Sequence, residues 1–256
     1  MSRRSAGLAL LGFLLLTSRA APVVAQSSDW TTVYQHASWY SAVVDHAIGD
    51  RDAIVADGQW RRFGWGAEPM QWMVRAGLLR TIASGVRVGG GYAYVASQPY
   101  GEAPAATPTR EHRVWQQLLF NHRAGALALS HRYRLEQRWL ANVTTDPGTS
   151  EKETGPYSYQ NRLRYQVRAH GDLPAVKLGS RKVMGFVYDE LFIPFGHADP
   201  DLRIAQNRLG AGVGLPLSSK QRLDVGYMHL YNALTGPHVN EINHTLTVSW
   251  VWTATR

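Results

Sequence analysis

Residues 127–139 read LALSHRYRLEQRW, and they sort by parity. Leu127, Leu129, His131, Tyr133, Leu135 and Trp139 fall on one side, and Ser130, Arg132, Arg134, Glu136 and Arg138 on the other. Successive side chains of a strand point to opposite faces, whereas a helical period would mix these two sets. The segment is therefore a strand with one apolar face and one arginine-rich face. The pattern recurs. Tyr157, Tyr159, Leu163, Tyr165 and Val167 oppose Arg162, Arg164, Gln166 and Arg168. Leu209, Ala211, Val213, Leu215 and Leu217 oppose Gln206, Arg208 and three glycines. Near the end, Ile242, His244, Leu246, Val248, Trp250 and Trp252 oppose Glu241, Asn243, Thr245, Thr247 and Ser249.

The same reading gives strands near 36–47, 51–62, 69–81, 85–97, 111–123, 125–139, 157–170, 183–195, 203–217, 221–232 and 241–253. Turn residues such as Gly49-Asp50, Ser84-Gly85, Gly125 and Ser218-Ser219 separate them. Two connections are longer: 98–110, with three prolines, and the polar stretch 141–155. The strand pattern continues on both sides of each, so the mature chain is read as one domain, 26–256.

Residues 1–25 have a different character. Arg3 and Arg4 precede an apolar stretch from Ala6 to Leu16, and small residues lead to Val23 and Ala25. This is the layout of a cleaved secretory signal peptide, 1–25, and its apolar core is too short to span a membrane as a helix. The whole chain carries 27 Lys+Arg against 19 Asp+Glu. Only four of the basic residues are lysines, which leaves 27 − 4 = 23 arginines. Loss of the leader removes three arginines and no acids, so the mature charge is 24 − 19 = +5. Secretion argues against nucleic acid as a partner. The absence of cysteine excludes a disulfide scaffold, a thiolate metal site and a cysteine nucleophile.

Many of the strands run to 12–15 residues, longer than the five or six common in soluble sheets. A tilted strand crosses a bilayer in about 9–11 residues. Trp60, Trp139, Tyr157, Trp250 and Trp252 lie near strand ends, where outer-membrane barrels carry interfacial aromatic girdles. The expected fold is all-β: a transmembrane, antiparallel, up-and-down β-barrel in the bacterial outer membrane. Single-chain bacterial barrels have an even strand count and place their longer loops outside. Eleven runs violate the first condition and misplace the long loops. A further strand near 30–35 would repair both, so ten to twelve strands are expected, with twelve preferred.

Arginine on a lipid face costs roughly 2–4 kcal/mol at the bilayer midplane, so the polar parity must line the lumen. That lining comprises Glu111, Arg113, Arg132, Arg134, Glu136, Arg138, Arg162, Arg164, Arg168, Glu190, Arg208 and Asp224, with Arg61, Arg75, Arg87 and Asp57. Two readings follow. The charges either pair to fill and brace a narrow structural barrel, or they form a porin-like channel preferring small anionic solutes. Outer-membrane lipid and, during insertion, the barrel-assembly machinery are the other expected partners.

Catalytic signals are thin. An arginine neighbour makes Glu136 a poor general acid, and Asp189 and Glu190 are adjacent, so they point to opposite faces of a strand. The ten histidines include no H-E-x-x-H spacing. No catalytic residue, metal ligand or cofactor is assigned. A lipid-modifying outer-membrane enzyme is the rival class, and it needs a serine or carboxylate with a partnered histidine at the outer rim. A secreted lipid-binding barrel is the third, and it would turn Leu129, Tyr133, Leu135 and Trp250 inward.

Several strings together carry a family resemblance: EHRVWQQL at 111–118, HRYRLEQRW at 131–139, NRLRYQV at 161–167, YDELF at 188–192, QNRLGAGVG at 206–214 and VGYM at 225–228. In their order, over essentially the whole mature chain, they resemble the uncharacterised bacterial family catalogued as domain of unknown function 2490. The resemblance implies an outer-membrane β-barrel. It implies no activity, substrate or catalytic residue.

Overall fold

The computed structural model describes residues 30–254 apart from 147, 197–203 and 235–237. The leader expected at 1–25 lies outside the described residues. Twelve strands run in chain order: β1 (Thr31–Ala47), β2 (Asp52–Phe63), β3 (Glu68–Ala83), β4 (Val86–Ser97), β5 (Thr109–Ala124), β6 (Leu127–Thr145), β7 (Lys152–Thr154), β8 (Ser158–Leu178), β9 (Arg181–Phe195), β10 (Gln206–Pro216), β11 (Gln221–Leu234) and β12 (Val239–Ala254). Sequential strands pair antiparallel, except that β8 pairs with β6 past the short β7, which pairs with β6 alone. The sheet closes where β1 pairs with β12 in parallel, from Thr31↔Val239 to His46↔Ala254.

The barrel therefore has eleven staves and a parallel seam. The count lies within the expected ten to twelve, but the preferred even count with wholly antiparallel closure is corrected. Residues from Thr31 to Gln35 are the first part of β1, not a separate strand. With an odd number of staves, β1 and β12 run the same way. The long connections follow the fourth and sixth staves, as the eleven runs have them, and so lie at the end where β1 begins. Strands β2, β4, β6, β9 and β11 finish at the end where β1 starts, the loop end, which also holds 64–67 and 98–108. The tight turns 48–51, 84–85, 125–126, 179–180 and 217–220 share the other.

The two faces have opposite chemistry, and the inner one is charged. Arg134 and Glu136 on β6 are buried, while Tyr133, on the opposite parity, is 44% exposed. Glu111, Arg113 and Gln117 on β5 are buried, and Val114, Leu118 and Phe120 are exposed. Leu129, Leu135 and Trp250 share the outward parity of their strands, opposite to what a lipid-binding barrel with an apolar interior requires. Asp189 is an exception on the outside, where Asn207 Nδ2 donates to its Oδ1 at 2.6 Å.

Inside, large side chains need glycine opposite them. The Trp115 indole lies against Gly77 and Gly91, where a Cβ would collide with its ring. Gly210 and Gly212 make the same room for Tyr188 and Phe186. The glycine runs of β4 and β10 are thus seats for lumenal rings.

Candidate functional site: an arginine–carboxylate lumen

Three carboxylates organise the lumen. Glu136 on β6 is fully buried and receives Arg162 at 2.6 Å and Arg164 at 2.8 Å, both from β8, with Arg113 at 3.6 Å from β5. Glu190 on β9 receives Arg164 and Arg132 at 2.7 Å each, and Arg208 stands 3.7 Å away. Glu111 on β5 accepts from Arg138 at 2.7 and 2.9 Å and from Arg113 at 2.7 Å. Because Arg113 touches both Glu111 and Glu136, and Arg164 both Glu136 and Glu190, the three sites form one chain of alternating charge across β5, β6, β8 and β9. The planar guanidinium suits this, since it can serve two carboxylates with separate N–H groups. Smaller pairs lie elsewhere on the inner face: Arg75–Asp57 at 2.6 Å, Arg87–Asp45 at 2.7 Å and Arg168–Asp224 at 3.2 Å. Arg134 is the odd member, for its hydrogen bonds go to Gln117.

All twelve lumenal candidates thus occupy the inner face. The parity pattern also contained lumenal residues that the charge-based reading passed over. Glu241 on β12 is buried and accepts from Asn243 and from Tyr100. Phe192 is fully buried, with the guanidinium carbons of Arg162, Arg164 and Arg208 5.1, 4.4 and 4.4 Å from its ring centroid. Trp39 carries Arg61 at 3.8 Å and Arg208 at 4.8 Å. These cation–π contacts let arginines without a full set of carboxylates remain charged inside the wall.

The filled middle divides the lumen. A cavity of about 260 Å³ lies toward the loop end, lined by Trp39, Arg61, Tyr100, Arg138, Arg162 and Arg208 among others. A second of about 150 Å³ lies toward the turn end, against Asp45, Leu79, Trp115, Leu119 and Arg132. The connection 98–108 bends over the upper cavity. Tyr100 Oη donates to Glu241 at 3.0 Å, joining the β4–β5 loop to β12. Burial, and after it the Glu241 carboxylate, pushes the Tyr100 phenol above its usual range, so the hydroxyl keeps the proton it donates. Tyr100→Phe removes this latch. It is expected to speed limited proteolysis within 98–108 while leaving the unfolding midpoint of the barrel nearly unchanged.

On the outer face, rings gather toward both ends. Tyr40–Trp60, Trp72–Tyr94, His112–Tyr157 and Trp139–Tyr159 have centroids 5.7, 5.3, 5.3 and 5.3 Å apart near the loop end. Near the turn end, Trp252 stacks on His46 at 5.1 Å, and Trp250 donates from Nε1 to Gln221 at 3.3 Å. His112 is held by the hydroxyls of Tyr92 and Tyr157, at 2.5 and 3.0 Å, so its hydrogen-bond partners are neither serine nor carboxylate. Among the described residues, no group of three His, Asp or Glu side chains is placed to hold a metal ion.

A family model described as "Protein of unknown function (DUF2490)" matches residues 36–241. The chain belongs to this family. The match runs from the first half of β1 into the start of β12, so the DUF2490 region contains both the charged chain and the two lumenal cavities. No curated protein and no solved structure matches the chain.

Proposed function

We propose that this DUF2490 protein is an outer-membrane β-barrel whose own side chains seal its lumen. The observation that carries the reading is the inversion of the wall, charged within and apolar without. Along β6, the outward ring at Trp139 and the outward histidine at His131 are 139 − 131 = 8 residues apart. At a rise of about 3.3 Å per residue and a tilt of about 40°, that is roughly 20 Å of height, comparable with the ~25 Å apolar band of such barrels. The long connections face outward from the cell and the tight turns face the periplasm, as in bacterial barrels. An odd stave count is compatible with a membrane barrel.

Between structural barrel and open pore, the packing favours the former. Glu136, Arg164, Glu190, Trp115 and Phe192, inward side chains of β5, β6, β8 and β9, have almost no exposed surface. Folded wild-type protein in a planar bilayer is expected to give no sustained conductance, and a steady open-channel current would overturn the sealed reading. Membrane residence is tested separately. The protein is expected in the outer-membrane fraction with heat-dependent gel mobility, and a soluble fraction without it would overturn that part.

A further inference from the structure

We infer that the upper cavity is a binding site for a small, multiply charged oxyanion of the phosphate type, gripped by Arg61 and Arg208 beside the Trp39 ring. The argument starts from charge. Seven arginines line the cavity: Arg61, Arg75, Arg113, Arg138, Arg162, Arg164 and Arg208. The carboxylates that pair with them are Asp57, Glu111, Glu136 and Glu190. Glu241, bonded to the lining residues Tyr100 and Asn232, is a fifth carboxylate at the cavity, so the balance is 7 − 5 = +2, and Glu190 also serves Arg132.

The surplus is localised. Arg61 donates to the neutral side chains of Gln71 and Gln59, at 2.6 Å each, and its buried Nε has no partner. Arg208 donates to Gln206 at 2.9 Å, reaches Glu190 only at 3.7 Å, and likewise has an unpartnered buried Nε. Both guanidiniums lie against the same indole. Buried donors without acceptors are costly, and a guanidinium fork fits an oxyanion through paired N–H groups. An anion accepting from both would meet the charge and the hydrogen-bond deficit together.

Size and access narrow the class. A cavity of about 260 Å³ lies just below the usual range for small-molecule pockets, so it suits a small ion and excludes a lipid. The intact wall separates it from the outer apolar face, and the latched loop at Tyr100 covers it from the loop end. The ligand therefore comes from solution. The site belongs to the barrel interior and does not depend on where the barrel resides.

The test uses full-length folded protein in detergent micelles, titrated with inorganic phosphate against sodium chloride at matched ionic strength. Phosphate is expected to raise the thermal midpoint and change tryptophan emission saturably, and Trp39→Phe is expected to remove the emission change. Arg61→Gln and, separately, Arg208→Lys should each weaken phosphate binding roughly tenfold or more, the loss of a charge-assisted contact. Arg208→Lys keeps the charge and guards against misfolding of the first variant. Lys182→Gln, at an exposed pair with Asp172, should leave binding unchanged. Equal stabilisation by chloride, or undiminished phosphate binding in both arginine variants, would overturn the assignment. Sulfate binding as tight as phosphate would support the oxyanion site but remove any preference for phosphate. Heat-dependent gel mobility in the same samples reports on the barrel alone, so failure of the site and failure of the membrane reading are distinguishable.

Discussion

Glu136→Ala is expected to lower stability by about 3–5 kcal/mol, the cost of removing one partner from a buried ion pair. The carboxylate has no exposed surface, and it is the shared acceptor for Arg162, Arg164 and Arg113. Alanine leaves those guanidiniums in place with their charge uncompensated. Arg164 retains Glu190 and Arg113 retains Glu111, but Arg162 has Glu136 as its ion-pair partner. Arg162 therefore bears most of the loss. Glu136→Gln should cost less, because the amide oxygen still accepts one hydrogen bond. Asp172→Ala provides the contrast: its pair with Lys182 is more than half exposed on both sides, and exposed pairs contribute about 0–1 kcal/mol. Urea unfolding in lipid vesicles, followed by the gel-mobility shift, measures all three. An unchanged midpoint for Glu136→Ala would mean that water reaches this part of the lumen and screens the arginines.

The chain of charges should also behave as a unit. Glu136 and Glu190 share Arg164, so losses on removing either are coupled through the same guanidinium, and residues in one network are not additive. Such a chain contributes less net stability than its short distances suggest, since each ion gave up water to enter. Its clearer effect is on register. Shifting β8 by one residue against β6 would turn Arg162, Arg164 and Arg168 toward the apolar surface, because the side-chain period is two.

How much of this was legible in the sequence follows from what is local and what is not. Alternation is local, and the eleven periodic runs coincide with the eleven staves to within a few residues at most ends. Strands β6 and β8 continue past the expected 139 and 170, to Thr145 and Leu178. Their extensions lack the clean alternation of a wall with two different faces. The closure was not legible, because no local pattern records that β1 will meet β12 in parallel. An assumed even count then led to the extra strand at 30–35, where β1 simply starts early. In the lumen, charge was easy to follow and rings were not. Trp115 shares its parity with Glu111 and Arg113, and Phe192 with Glu190, so position placed both inside. Aromatic type pointed instead to the outer rims, where Trp60 and Trp139 do lie. The glycines opposite Trp115 are the signal that could have decided, since a lumenal indole needs a missing side chain across from it.

Leu163→Arg is expected to cost about 2–4 kcal/mol in a bilayer, the penalty for arginine near the midplane on the lipid face of a barrel. Leu163 points outward from β8 between Leu135 and Ile193 of its neighbours and is 37% exposed. It flanks Arg162 and Arg164, so the substitution places the same residue type on both faces of one strand and tests only the face. Tyr159→Arg is the matched variant, four residues closer to the loop end on the same parity (163 − 159 = 4), where the penalty should fall to about 0–1 kcal/mol. A gradient between the two positions requires a surrounding medium that changes with depth. Water has no depth: in a soluble barrel both substitutions are surface changes, usually within about 0.5 kcal/mol. Equal small costs at Leu163 and Tyr159, measured by urea unfolding in vesicles, would put the apolar wall against something other than lipid, however well the charged interior holds together.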